Sequence, residues 1–488
     1  MTEIPVLTAM TFLPLVGAVA ILLFRSERTA RWIALGMSLA TLAVSLPLYR
    51  YFDKGSSDLQ FVEHVVWLKD WNIAYQMGVD GISLPFIFLA AVLTVLCVSV
   101  SWTAVRTRVP EFYAALLLAE TAMIGLFAAA NLFLFFIFWE LMVVPLFLLI
   151  GVWGGPARVH AAVKFLLFTL AGSVLMLVAM ITLYSEFGTL DFKELVGQKM
   201  GIELQGWLFV AFLAAFAVKV PMFPVHTWLP DAHTEAPTAG SVILAGVLLK
   251  MGAYGFLRVS LPILPDAVQM FVTPMLVLSV VAIVYGAYVT LMQTDVKRLI
   301  AYSSVSHMGF VTLGIFTLNS RGVEGAILQM INHGIISAAL FLCVGMIYER
   351  THTREIKDYG GLAKVAPVYS TFLALFCLAA AGFPGLNSFV GEFLIIGGAF
   401  ETNTWLGGMA VWGVALGTTY LVWLFYRMVM GDVNPGLEGL KLELGVREIA
   451  TLAPLAFVAV YLGVYPDCVL SYLHETVDAL LVAGGTAS

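Results

Sequence analysis

Charge is what this sequence is short of. Of its 488 residues only 11% are Asp, Glu, Lys or Arg, against roughly 25% in an ordinary soluble domain. With 61% apolar or aromatic residues and a mean hydropathy of +0.95, the chain has too little polar surface to cover water-soluble cores of this length. Soluble globular, disordered and coiled-coil organisations are excluded, and the protein belongs in a bilayer. A net charge of −6 argues against a nucleic-acid partner, and no Lys/Arg cluster reads as a lipid-binding basic patch. Cysteine is equally scarce. Cys97, Cys343, Cys377 and Cys468 form no C-x-x-C pair and three lie in apolar runs. They read as buried small side chains, with no zinc, iron–sulfur or disulfide role. No G-x-G occurs anywhere in the chain, so the dinucleotide-binding fingerprint is absent.

What is present is a succession of apolar windows, each about 20 residues long, the length that spans a bilayer core as helix. Fourteen fall at roughly 5–24, 30–50, 82–103, 111–130, 131–152, 161–184, 206–228, 238–259, 270–291, 299–318, 323–348, 367–399, 407–430 and 448–473. The windows are continuous rather than alternating, which excludes a membrane β-barrel. Met1-Thr2-Glu3 lacks a basic region, so the first window is expected to be a span and not a cleaved signal. The expectation is an all-α polytopic protein, 1–488 forming one membrane domain.

Orientation follows from the basic residues. Counting residues at window ends with the connections they adjoin, those after odd-numbered windows hold sixteen Lys and Arg and those after even-numbered windows seven, while Lys219 and Lys250 lie deep within windows. The positive-inside bias places odd connections in the cytoplasm and both termini on the outer side. Glu349–Lys364 is the most charged linker and the expected cytoplasmic contact surface.

Two windows read as broken helices. Window seven contains Pro221 and Pro224, which lack N–H donors and should free the carbonyls of Ala217 and Val220. Window twelve carries Gly382-Phe383-Pro384-Gly385, which should free that of Ala380. Discontinuous helices in matching positions of two halves point to an ion pathway between inverted repeats. The halves are expected at 111–259 and 270–430, windows four to eight and nine to thirteen, each with its fourth helix broken. Ordinary proline kinks are the plainer reading.

Seven ionisable residues fall well inside windows: Glu120, Glu140, Lys219, Lys250, His307, His333 and Glu392. A charge at the bilayer centre costs roughly 2.5–3.5 kcal/mol on insertion scales, and such groups usually pair with one another and mark an ion route. A lysine with a movable carboxylate can hold or release a proton as the distance changes. Glu140 is the expected partner of Lys219, and Lys250 the centre of a relay. His307 and His333 are able to pass protons either way, and Glu392 ends the line. Glu120 also reads as a locally bonded helix carboxyl, and His307 as a structural histidine. A metal site at His226 and His233 is not closed by any acidic–histidine set at ligand spacing.

The stretch Lys219-Val220-Pro221-Met222-Phe223-Pro224-Val225-His226-Thr227-Trp228-Leu229-Pro230-Asp231-Ala232-His233, running on to Glu235-Ala236-Pro237, resembles the signature of the antiporter-like subunits of respiratory complex I. So do Asp295 to Gly309 and Asn332-His333-Gly334. The resemblance covers essentially the whole chain. It implies a proton-translocating membrane-arm subunit of NADH-quinone oxidoreductase in the bacterial inner membrane. Glu140 and Lys219 would form the coupling pair, Lys250 the central relay lysine, His333 a bridge and Glu392 the terminal carboxylate, with His307 beside them. Glu392 distinguishes the chain from sister subunits L and N, which carry lysine there. Its expected partners are those L-like and N-like subunits, membrane lipid and protons. Flavin and iron–sulfur clusters are expected in partner subunits and no cofactor in this chain. Three other readings remain open: a cation/proton antiporter subunit, a membrane subunit of a related hydrogenase, and a scaffold whose inner charges only hold the bundle.

Overall fold

The computed structural model describes residues 5–485. Among the described residues thirteen helices are long and apolar enough to cross a membrane, and a fourteenth crossing is made of two shorter helices. In chain order the spans are 1 (Val6–Phe24), 2 (Glu27–Tyr51), 3 (Ser83–Ala104), 4 (Val109–Ala128), 5 (Leu132–Trp153), 6 (Arg158–Phe187), 7 (Ile202–Lys219), 8 (Thr238–Ile263), 9 (Pro265–Leu291), 10 (Val296–Phe316), 11 (Ser320–Thr351), 13 (Thr404–Val429) and 14 (Val446–Val464). Span 12 consists of Pro367–Ala380 and Asn387–Thr402. Spans 3, 4, 8, 10 and 11 are the interior, with 78–100% of their apolar windows buried, whereas spans 1, 2, 6, 9, 13 and 14 bury 28–39%. The functional side chains should therefore be sought on 8, 10 and 11, where no lipid reaches.

Connections sort onto two faces. On one, Asn131 donates to the Ala74 carbonyl, the Leu132 amide bonds Leu190, and Ser320 bonds Asp478. These join connections after spans 2, 4, 6, 10 and 14. On the other, Trp153 donates to Thr107, Arg354 to Thr234, and Arg350 to Glu443. The alternation expected from fourteen crossings is thus present, with the start of span 1 on the even-connection face, where the Leu7 amide donates to Glu63.

The structure departs from expectation in several places. A hairpin of β1 (Gln60–Leu68) and β2 (Ile73–Val79) lies between spans 2 and 3. The last window does not run to 473. It ends at Val464, and Pro466 starts a separate amphipathic helix, Asp467–Ala483, because proline fits the start of a helix and not its interior. Glu349 and Arg350 belong to span 11, so the charged linker begins only at His352. Lys297, outside the tenth window, lies within span 10, and Arg258, at the edge of window eight, lies well inside span 8.

Candidate functional site

Both breaks exist, but their backbone groups are satisfied differently from the simplest proline argument. Span 7 stops at Lys219 and the chain resumes as Trp228–Glu235. The Ala217 carbonyl is not free, since the Met222 amide donates to it at 2.8 Å. It is the Val218 carbonyl that takes an outside donor, the Trp228 indole N–H, at 2.9 Å. In span 12 the Phe383 amide closes on Leu378 and the Thr418 hydroxyl donates to Ala381 at 3.3 Å. Gly382 holds φ +71°, a left-handed conformation that a side chain would resist.

At the first break Lys219 is 1% exposed. Its ammonium donates to the Trp139 carbonyl at 2.9 Å and stands 3.7 Å from the centre of the Trp139 ring. The ammonium bonds the Trp139 carbonyl and not Glu140, whose Oε1 is buried without a partner. The expected couple is therefore side by side and open, with the lysine held by the residue that precedes the carboxylate. Trp139 was invisible as a functional residue in the sequence, though its place beside Glu140 was the available signal.

Span 8 supplies Lys250, fully buried. From Leu244 to Leu248 the helix widens to a π-turn. The Leu249 amide reaches back five residues to Leu244, passing over the carbonyl of Ala245. Lys250 Nζ donates to that carbonyl and lies 2.8 Å from His333 Nδ1 on span 11. π-bulges of this kind recur at functional sites, and here the bulge gives a membrane-buried lysine a backbone acceptor. Gly246 and Gly334 let the two spans approach: a Cβ on Gly334 would stand 2.8 Å from the Gly246 carbonyl oxygen.

The line continues across span 10. The rings of His333 and His307 are 5.7 Å apart. A small cavity between them, lined also by Ser303, Gln329, Ser337 and Ser388, is of the size that takes one water. His307 Nδ1 lies 3.3 Å from Glu392 Oε1 without hydrogen-bond alignment, and its Nε2 meets the Tyr420 hydroxyl at 3.4 Å. Glu392 accepts from Gln329 Nε2 at 3.1 Å, and its Oε2 packs against Gly382 in the second break. Gln329 and Tyr420 were missed by sequence reading, because uncharged polar residues in apolar helices are common and only the fold aims them.

Glu120 stands apart. It is fully buried in span 4 and neither oxygen has a partner, which does not fit the locally bonded carboxyl expected of it. His226 packs edge-on to Tyr285, and His233 stacks on Phe341 at 4.7 Å with both ring nitrogens unpartnered. Lys297 donates to the Ala236 carbonyl.

The chemistry of the line is that of proton exchange. An ammonium has three donors and no acceptor, so with Lys250 charged, His333 Nδ1 must offer its lone pair; with Lys250 neutral the same contact can run in reverse. Only side chains able to hold a proton on either partner occupy Lys250, His333, His307 and Glu392.

Comparison with known proteins identifies the family. The family described as NADH:quinone oxidoreductase/Mrp antiporter membrane subunits matches residues 129–417. NADH-quinone oxidoreductase subunit M of Rhodobacter capsulatus is 47% identical over 97% of this chain and 96% of its own. NADH-ubiquinone oxidoreductase chain 4 of Chondrus crispus is 45% identical over 96% of each. Among solved structures, respiratory complex I of Thermus thermophilus with bound NADH superposes with a TM-score of 0.91 at 29% identity, covering 99% of this chain and 100% of the matched one. The Mrp complex of Dietzia shares the fold, with a TM-score of 0.89 at 20% identity over 99% and 98%. The chain therefore belongs to the antiporter-like membrane subunits of NADH-quinone oxidoreductase, in the branch that contains subunit M and mitochondrial chain 4.

Proposed function

We propose that Glu140, Lys219, Lys250, His333, His307 and Glu392 are the proton line of this subunit, and that it translocates protons as part of the membrane arm of NADH-quinone oxidoreductase. The observation that carries this reading is the buried 2.8 Å contact between Lys250 Nζ and His333 Nδ1. An isolated charge in hydrocarbon is costly, and this one has an acceptor on the next helix and a backbone carbonyl to rest on. Redox chemistry in the partner subunits, which hold the flavin and iron–sulfur clusters, drives the Glu140–Lys219 couple between open and closed. Closing it draws positive charge away from Trp139 and changes the field at Lys250, which then loads or releases its proton. The proton passes His333 and His307 and leaves by Glu392.

In this reading the halves 111–259 and 270–430 are inverted repeats, odd connections are cytoplasmic, and both termini lie outside the bacterial inner membrane. L-like and N-like subunits flank the chain. The test is proton pumping per electron in proteoliposomes of assembled complex carrying Lys250→Met or Glu392→Gln. Loss of pumping in complexes that still assemble supports the line. Unchanged pumping in both would remove it and leave the scaffold reading.

A further inference from the structure

A groove of about 710 Å³ opens on the flank of the bundle, away from the proton line, between spans 2, 3, 11 and 14. That is within the ~300–1,000 Å³ range in which a pocket buries most of a small ligand. Leu42 and Leu46 form one wall, Val92 and Leu96 another, and Phe457 and Val458 a third. Leu46 and Phe457 are 53% and 67% exposed. The lining is apolar along its length, and its hydroxyl and thiol groups, Tyr49, Tyr461 and Cys468, come from segments that end on the even-connection face.

The mouth on that face has a different character. Tyr49 packs against Phe88 at 5.3 Å and Tyr472 at 5.2 Å, and Tyr472 donates to the Tyr49 carbonyl. Lys54 stands 4.0 Å above the Tyr472 ring and 2.9 Å from the Ser471 hydroxyl. Both contacts are neutral. Neither contact is with a carboxylate. Aromatic rings at headgroup depth, a cation held by neutral groups and an apolar trough beneath are the three parts of a phospholipid site.

We propose that this groove is a specific phospholipid site: an acyl chain lies along Leu46, Val92 and Phe457, and the phosphodiester sits at Lys54, above the Tyr49–Tyr472 pair. One cation is not a surface-binding basic patch, and the seat is defined by the trough instead. The occupant also has a mechanical position. The floor includes Ile331 and Ile335 of span 11, which share one face of the helix at i, i+4, while His333 between them points the other way. The acyl chain therefore backs the helix that carries the relay histidine.

The test begins with intact complex in vesicles of phosphatidylethanolamine and phosphatidylglycerol, one of them bearing a photoactivatable acyl chain. Cross-linking is expected in the peptides holding 42–49 and 454–469. After mild detergent washing, mass spectrometry should find one phospholipid retained in the complex and lost in the Leu46→Trp variant, which fills the trough, but not in Leu167→Trp on the exposed side of span 6. Lys54→Glu should weaken retention of phosphatidylglycerol more than that of an uncharged diacylglycerol. Labelling spread evenly over all exposed spans, equal retention in Leu46→Trp, or cross-linking of a Leu46→Cys complex to a neighbouring polypeptide would each overturn the proposal. The labelling experiment uses unsubstituted complex and so stands even where a variant fails to assemble.

Discussion

Lys250 on span 8 and His333 on span 11 meet at 2.8 Å because two glycines, Gly246 and Gly334, let their helices touch. A methyl group on residue 334 would face the Gly246 carbonyl oxygen at 2.8 Å and Lys250 Cε at 3.6 Å. Gly334→Ala should therefore separate the spans by a few tenths of an ångström and lengthen the Lys250–His333 contact. Misplacing a reacting group by an ångström can cost ~10²-fold. Pumping in reconstituted complex should fall, while assembly on native gels stays normal.

In the proposed proton line, the hold of Trp139 on Lys219 keeps the Glu140–Lys219 pair open. A desolvated cation–π contact is worth about 2 kcal/mol. Trp139→Leu removes the ring and leaves the backbone carbonyl of residue 139 and the unpartnered Glu140 carboxylate as the local acceptors. The lysine should then close on Glu140 and stay there. The expected result is fewer protons pumped per electron with quinone reduction continuing, measured by pH-indicator fluorescence beside NADH oxidation.

On the even-connection face Arg258 and Asp80 form a 2.7 Å ion pair at 18% and 2% side-chain exposure. Breaking such a buried pair from one side costs roughly 3–5 kcal/mol, whereas replacing both partners by apolar groups can be neutral. Asp80→Leu or Arg258→Leu alone should lower the thermal stability of the complex strongly, and the double variant much less. Differential scanning fluorimetry on purified complex reads the difference. Equal losses in single and double variants would mean that the pair is not what joins the β2 end to span 8.

Gly382 combines a positive φ with a Cβ position 2.7 Å from Glu392 Oε2. The left-handed conformation alone costs a side chain about 1–2 kcal/mol. Gly382→Ala should displace the Glu392 carboxylate from Gln329 and His307. Proton pumping is expected to drop as it does in Glu392→Gln. Normal pumping in Gly382→Ala would show that the position of the carboxylate is not critical.

Much of this was legible in the sequence, and the reason is energetic. In hydrocarbon every span must be a continuous apolar run, so fourteen crossings and their alternation could be counted. Ionisable residues are so costly there that Glu140, Lys219, Lys250, His307, His333 and Glu392 stood out one by one. The breaks at Pro221 and Gly382 were visible because proline and glycine act locally.

The tertiary structure decided everything that depends on which faces meet. No pattern along the chain says that Lys219 rests on Trp139 rather than on Glu140, since that choice belongs to the packing of spans 5 and 7. The π-turn that frees the Ala245 carbonyl left no mark in an unbroken apolar run. Gln329 and Tyr420 became part of the line only when spans 11 and 13 aimed them at Glu392 and His307. The hairpin of β1 and β2 and the amphipathic helix Asp467–Ala483 escaped notice for the opposite reason. They are not spans, and a short hairpin or an amphipathic helix carries a weaker periodic signal than a continuous apolar run.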